Sequence, residues 1–99
     1  MYLSKLAESK LTKLTEYLLE KWGLKVKKDF LVKFTHKVDQ IASQPESCPK
    51  SKQLKGIYKC VVTKQTTFYY RILLEVKEIE IITIFDTRQH PDQHKKQLR

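Results

Sequence analysis

Five polar side chains in the second half of the chain are candidates for chemistry: Lys59, Tyr69, Arg71, Arg88 and His90. Phe68-Tyr69-Tyr70-Arg71 sets aromatic rings beside a cation in a run of strand-forming residues. Such a face can stack bases and neutralise phosphates. In an alternating strand Phe68 and Tyr70 point one way, into a core, which leaves Tyr69 and Arg71 as contact residues. The stretch Asp86-Thr87-Arg88-Gln89-His90-Pro91 lies just past an apolar strand. There Arg88 is either a grip for a carboxylate or phosphate, or the partner of Asp86 in a turn. His90 and His94 are four apart, but Pro91 intervenes and no third ligand is near, so no metal site is assigned. His36 falls among helix lysines and reads as a surface residue.

Other chemistries are excluded by what is missing. Glycine occurs only at 23 and 56, so there is no phosphate-cradling loop, no nucleophile elbow and no cofactor fingerprint. No cofactor is expected. The chain has 99 residues with 20 Lys and Arg against 11 Asp and Glu, a net charge of +9. Residues 50–71 hold six basic residues (Lys50, Lys52, Lys55, Lys59, Lys64 and Arg71) and no acid. That field draws a polyanion or an acidic protein segment. No stretch approaches the roughly 20 apolar residues of a membrane span, and no apolar leader opens the chain. A cytoplasmic protein follows, with Cys48 and Cys60 reduced, one in a loop and one in a strand.

The elements that must position these residues follow from periodicity. Leu3, Leu6, Ala7, Leu11, Leu14, Leu18 and Trp22 recur at spacings of three and four, which predicts a helix over 3–22 capped by Ser4 and stopped at Gly23. A second helix is predicted over 25–43, with the stripe Val26, Phe30, Leu31, Phe34, Val38, Ile41 and Ala42. The short connection makes the pair an antiparallel hairpin. Pro45 and Pro49 mark a polar loop. Strands are predicted at 55–63, 66–74 and 78–86, joined by Lys64-Gln65 and Glu75-Val76-Lys77 into an antiparallel meander. The last is apolar on both sides from Ile81 to Phe85, which predicts a central place. The fold class is α+β in one domain over 1–99: a helix hairpin on a small antiparallel sheet, with a basic tail over about 92–99. Strict alternation gives the open sheet face Lys59, Tyr69, Arg71, Ile82 and Ile84, a mixture of charge and apolar surface that suggests a binding face.

The order of these pieces resembles the RelE/ParE toxin superfamily over nearly the whole chain. The resemblance is carried by Leu3-Ser4-x-x-Ala7-Glu8-x-x-Leu11, Tyr17-Leu18-x-x-Lys21-Trp22-Gly23 and Ile41-Ala42-x-x-Pro45-Glu46. It continues in Tyr58-Lys59-Cys60-Val61-Val62, Phe68-Tyr69-Tyr70-Arg71-Ile72 and Ile82-Thr83-Ile84-Phe85-Asp86-Thr87-Arg88. It implies an extra N-terminal edge strand, here stunted to the residues before the helix. It also implies a growth-inhibiting toxin of a type II toxin–antitoxin, plasmid-stabilising system, neutralised by a cognate antitoxin and reaching operator DNA only through it. One branch of the superfamily cleaves mRNA on the ribosome with basic residues spread over the sheet; another poisons DNA gyrase. Lys59 and Arg88 match two positions of the cleaving branch, with Arg71 and Tyr69 as supporting groups. Val61 and Thr67 stand where that branch commonly has a lysine and an arginine. The Asp86-to-Pro91 ending is similar to the gyrase-poison branch. The expectation is therefore gyrase poisoning, with Lys59, Tyr69, Arg71 and Arg88 meeting the target and Ile82 and Ile84 meeting the antitoxin. The alternatives are a ribosome-dependent endoribonuclease and a non-toxic nucleic-acid-binding module.

Overall fold

The computed structural model describes residues 1–89; His90, His94 and the 92–99 tail lie outside them. The order of elements is β1 (Tyr2–Leu3), α1 (Lys5–Trp22), α2 (Leu24–Ser43), β2 (Tyr58–Val61), β3 (Thr66–Leu73) and β4 (Glu78–Asp86). The sheet runs β1-β4-β3-β2, with β1 parallel to β4 and the other pairs antiparallel. The helices cover one face. The expected α+β hairpin-on-sheet architecture is present, and β4 is central as its two-sided apolarity required.

Ser4 joins three elements. Its side chain accepts the Ala7 amide at 3.0 Å and so caps α1. Its own amide donates to the Ile81 carbonyl at 2.9 Å, and its hydroxyl donates to the Ile82 carbonyl at 2.6 Å. The helix therefore begins at Lys5 rather than at residue 3, because Tyr2 and Leu3 extend as a strand beside Glu80 and Ile81. Gly23 alone separates the helices. Its φ of 95° lies in the left-handed region, where a side chain is strained, and its amide closes α1 on the Leu19 carbonyl at 3.2 Å.

The core lies between the helix pair and the sheet. Leu14 and Leu18 of α1 and Phe30, Phe34 and Ile41 of α2 meet Tyr58, Cys60, Phe68, Tyr70, Ile79, Ile81 and Ile84. Tyr58 and Tyr70 stack at 5.1 Å, and Phe34 meets Phe68 edge-on at 5.6 Å. The buried Tyr70 hydroxyl is satisfied by the Pro45 carbonyl at 2.7 Å, which ties the polar loop to the sheet. The stripe read on α1 is too wide. Leu6 and Trp22 are each 53% exposed, because the buried face of α1 centres on the Ala7-Leu14-Leu18 line, with Leu11 and Tyr17 packed at its margins.

One placement is overturned. Ile84 does not face outward; it is 3% exposed and part of the core. Tyr69 lies opposite Thr83 while Tyr70 lies opposite Ile81, so Ile82 is an extra residue in β4. This bulge resets the alternation. Before it Glu80 shares the open face with Arg71; after it Thr83 and Phe85 take that face, and Ile84 turns to the helices. β2 is also shorter than the 55–63 expected, since Lys55 and Gly56 form a turn, with Gly56 at φ 79°.

The bulge makes a direct prediction. Ile84→Ala should cost about 3 kcal/mol in a urea titration, as for a buried isoleucine cut to alanine, and the half-buried Ile82→Ala clearly less. Equal costs would place both residues in an unbroken alternation.

Candidate functional site

The expected site residues divide into two groups on opposite faces of the sheet. Lys59 and Tyr69 are cross-strand neighbours on the open face. Lys59 is exposed and Tyr69 half-buried. Arg71 follows on the same face, opposite Glu80, and its Nε donates to Glu80 Oε1 at 2.7 Å. That ion pair is half in solvent and uses the charge of Arg71 without adding much stability.

Arg88 is elsewhere. Asp86 points to the helix side, 2% exposed. Arg88 Nη2 donates to Asp86 Oδ2 at 2.8 Å, while Arg88 Nε and the Arg88 amide donate to Oδ1 at 3.2 and 2.8 Å. The buried Thr66 hydroxyl also donates to Asp86 Oδ2. The Arg88 guanidinium sits 6.0 Å from the ring centre of Trp22 on α1, and Tyr17 of α1 donates its hydroxyl to the Arg88 carbonyl at 2.8 Å. Arg88 is thus clasped by a two-pronged carboxylate, an aromatic face and a helix tyrosine. Of the two readings of this turn, pairing with Asp86 is the one present. Lys59, Tyr69 and Arg71 therefore share a face that Arg88 does not, because Asp86 carries Arg88 to the helix layer.

Around Lys59 and Tyr69 the sequence reading missed a partner segment. The chain at 49–51 runs beside β2: the Lys59 amide donates to the Pro49 carbonyl at 2.9 Å, the Ser51 amide donates to the Ile57 carbonyl at 2.7 Å, and Lys50 bridges to Tyr58. This covers the outer edge of β2. Ser51 Oγ then accepts the Gln53 and Leu54 amides at 3.3 and 3.1 Å, closing a turn. The result is a cleft of about 370 Å³ lined by Pro49, Lys50, Ser51, Lys52, Gln53, Lys59 and Tyr69. The acid-free run of lysines was the signal in the sequence. What it lacked was the return of the loop onto the strand edge.

Cys48 and Cys60 are free thiols, both buried. Burial, and then the neighbouring Cys48, push the Cys60 thiol up to about 12 from an ordinary 9.0. Burial likewise raises the Tyr70 phenol. Neither is an available nucleophile at neutral pH. Among the described residues no group of three or more His, Cys, Asp or Glu side chains is placed to hold a metal, and no helix is long and apolar enough to cross a membrane.

Two predictions follow from this geometry. Arg88→Ala leaves a buried carboxylate held only by Thr66 and one amide, so stability should fall by about 2–3 kcal/mol in a denaturant titration. Arg88→Lys should fall by less, keeping the charge and losing the fork. A fully stable Arg88→Ala variant would show the clasp to be incidental. For Cys60, the unfolded thiol ionises near 9.0 and the folded one near 12, so unfolding releases a proton in that window. Stability present below pH 9 should decline as pH rises from 9 toward 12, and Cys60→Ala should flatten that decline in thermal melts.

The family model described as the ParE toxin of the type II toxin–antitoxin system parDE matches residues 1–91. No curated protein sequence matches the chain. Among solved structures, a chain of the chromosomal ParDE toxin–antitoxin system from P. aeruginosa superposes with a TM-score of 0.70 at 13% sequence identity. The match covers 86% of this chain and 91% of that one, a likeness of fold.

Proposed function

We propose that this chain, which belongs to the ParE toxin family of type II toxin–antitoxin systems, arrests growth by acting on DNA gyrase and not by cutting mRNA. The observation that carries this reading is the separation of Arg88 from Lys59, Tyr69 and Arg71. RNA cleavage needs one group to take the 2′-proton, another to protonate the leaving oxygen, and positive charge on the phosphate between them, all within about 3 Å of the reacting atoms. Here Arg88 is bound to Asp86 on the helix side and Arg71 to Glu80. Val61 and Thr67 are neutral where the cleaving branch commonly carries charge. Lys59 and Tyr69 are left as a pair, too few for the three tasks.

A toxin of this class is held inactive by its cognate antitoxin. Apolar surface left uncovered on the helix hairpin supports a contact there: Leu6, Leu19, Trp22 and Leu24 are exposed. Ile82 is half-buried at the bulge and remains available to the same partner; Ile84 is not, being in the core.

Purified gyrase supplies the test. The chain should inhibit supercoiling and accumulate cleaved DNA–gyrase complexes, and prior addition of the antitoxin should abolish both effects. Transcripts from induced cells should remain whole by primer extension. New ends within codons, lost in Lys59→Ala, would install the endoribonuclease instead.

A further inference from the structure

The acid-free cleft between the 49–53 turn and the β2–β3 face is a second matter from gyrase recognition itself. We infer that it is a sequence-independent grip for the phosphate backbone of duplex DNA, with Lys50, Lys52 and Lys59 as the phosphate contacts. This deepens the gyrase reading by naming the other half of the target, the DNA that gyrase holds.

Three observations carry it. The lining residues include three lysines and no acid, so nothing within the cleft neutralises them. Elsewhere on this face the cation is already paired, Arg71 with Glu80. The backbone that carries the lysines is also held in place. Lys59 lies on β2, Lys50 on the segment bridged to Tyr58 and Lys52 on the turn closed by Ser51, so the spacing of their backbone is fixed before any ligand arrives. Like charges kept together by backbone hydrogen bonds are stabilised by a polyanion, whose condensed counterions they release.

The aromatic residues favour duplex over single strand. Single-stranded nucleic acid is held on rows of exposed rings. Of the aromatic residues in β2 and β3, Tyr58, Phe68 and Tyr70 are packed in the core, and Tyr69 alone lines the cleft. One ring beside three point charges suits a sugar-phosphate backbone, with the Tyr69 hydroxyl able to donate to a phosphate oxygen. Contacts to phosphate oxygens carry no sequence information, so no sequence preference is expected.

The experiment is binding of the full chain to a short fluorescein-labelled DNA duplex of arbitrary sequence, by anisotropy over a range of KCl. Three phosphate contacts contribute about −3 to the slope of log K against log salt, and each of Lys50→Ala, Lys52→Ala and Lys59→Ala should reduce its steepness by about one. Lys28→Ala, an exposed position on the helix layer, should leave the slope nearly unchanged. Equal losses from Lys28→Ala and the cleft variants would reduce the effect to net charge and overturn the proposal. So would tighter binding of single-stranded RNA of the same length, or no binding of duplex at low salt. Gyrase is absent from the assay, so a positive result with no inhibition of supercoiling would sink the gyrase reading and leave the grip standing.

Discussion

One extra residue in a central strand organises this protein. The bulge at Ile82 sits in β4, which has strands on both sides and the helices above it. A bulge in such a place leaves a carbonyl out of the ladder, and a buried carbonyl without a donor costs about 1–3 kcal/mol. Ser4 supplies that donor. The same hydroxyl oxygen accepts the Ala7 amide, so the start of α1 is fixed relative to the bulge. The two-residue strand before it is fixed too, since Tyr2 and Leu3 pair with the residues just ahead of the bulge. One serine thus sets how the first helix lies on the sheet.

The change of face at the bulge also decides where charge can go. Beyond it, Ile84 and Asp86 turn to the helix side and Phe85 to the open side. Asp86 in that position is a buried carboxylate, which demands a cation and hydrogen-bond donors. Arg88, Thr66 and the Arg88 amide provide them, and Trp22 and Tyr17 close over the arginine. With Arg88 committed there, the cleft beside β2 keeps Lys59 and the lysines of the 49–53 turn. The two basic regions are separated by the thickness of the sheet, one compensated and the other not.

Much of this is legible in the sequence. The spacing of Leu14, Leu18, Phe30 and Phe34 gave both helices. The alternation of Tyr58, Cys60, Phe68 and Tyr70 gave the core face of two strands, and the apolarity of Ile81 to Phe85 on both sides gave the central strand. The family likeness drawn from the ordered motifs agrees with the family match. Three features were not legible. A bulge leaves no mark in a run such as Ile81-Ile82-Thr83-Ile84, where every residue suits either face, so strict alternation places Ile84 outside. Periodicity cannot report the width of the surface a helix packs on, so the stripe of α1 counts Leu6 and Trp22 as inside. The pairing of 49–51 with β2 rests on backbone groups, which every sequence has, and no side-chain pattern announces it.

That last pairing explains how a small fold carries an unneutralised cluster of lysines. Lys50, Lys52 and Lys59 repel one another, and on a mobile loop they would separate. Here the bonds from Lys59 to Pro49 and from Ser51 to Ile57 hold the backbone, and the long side chains keep their charged ends in water, where the dielectric weakens the repulsion. The residual repulsion falls when a polyanion is bound and is felt whenever it is not. The edge protection that stops β2 pairing with another chain is therefore the same structure that preorganises the cleft. Loss of the Pro49–Lys59 bond would release the edge and the lysines together.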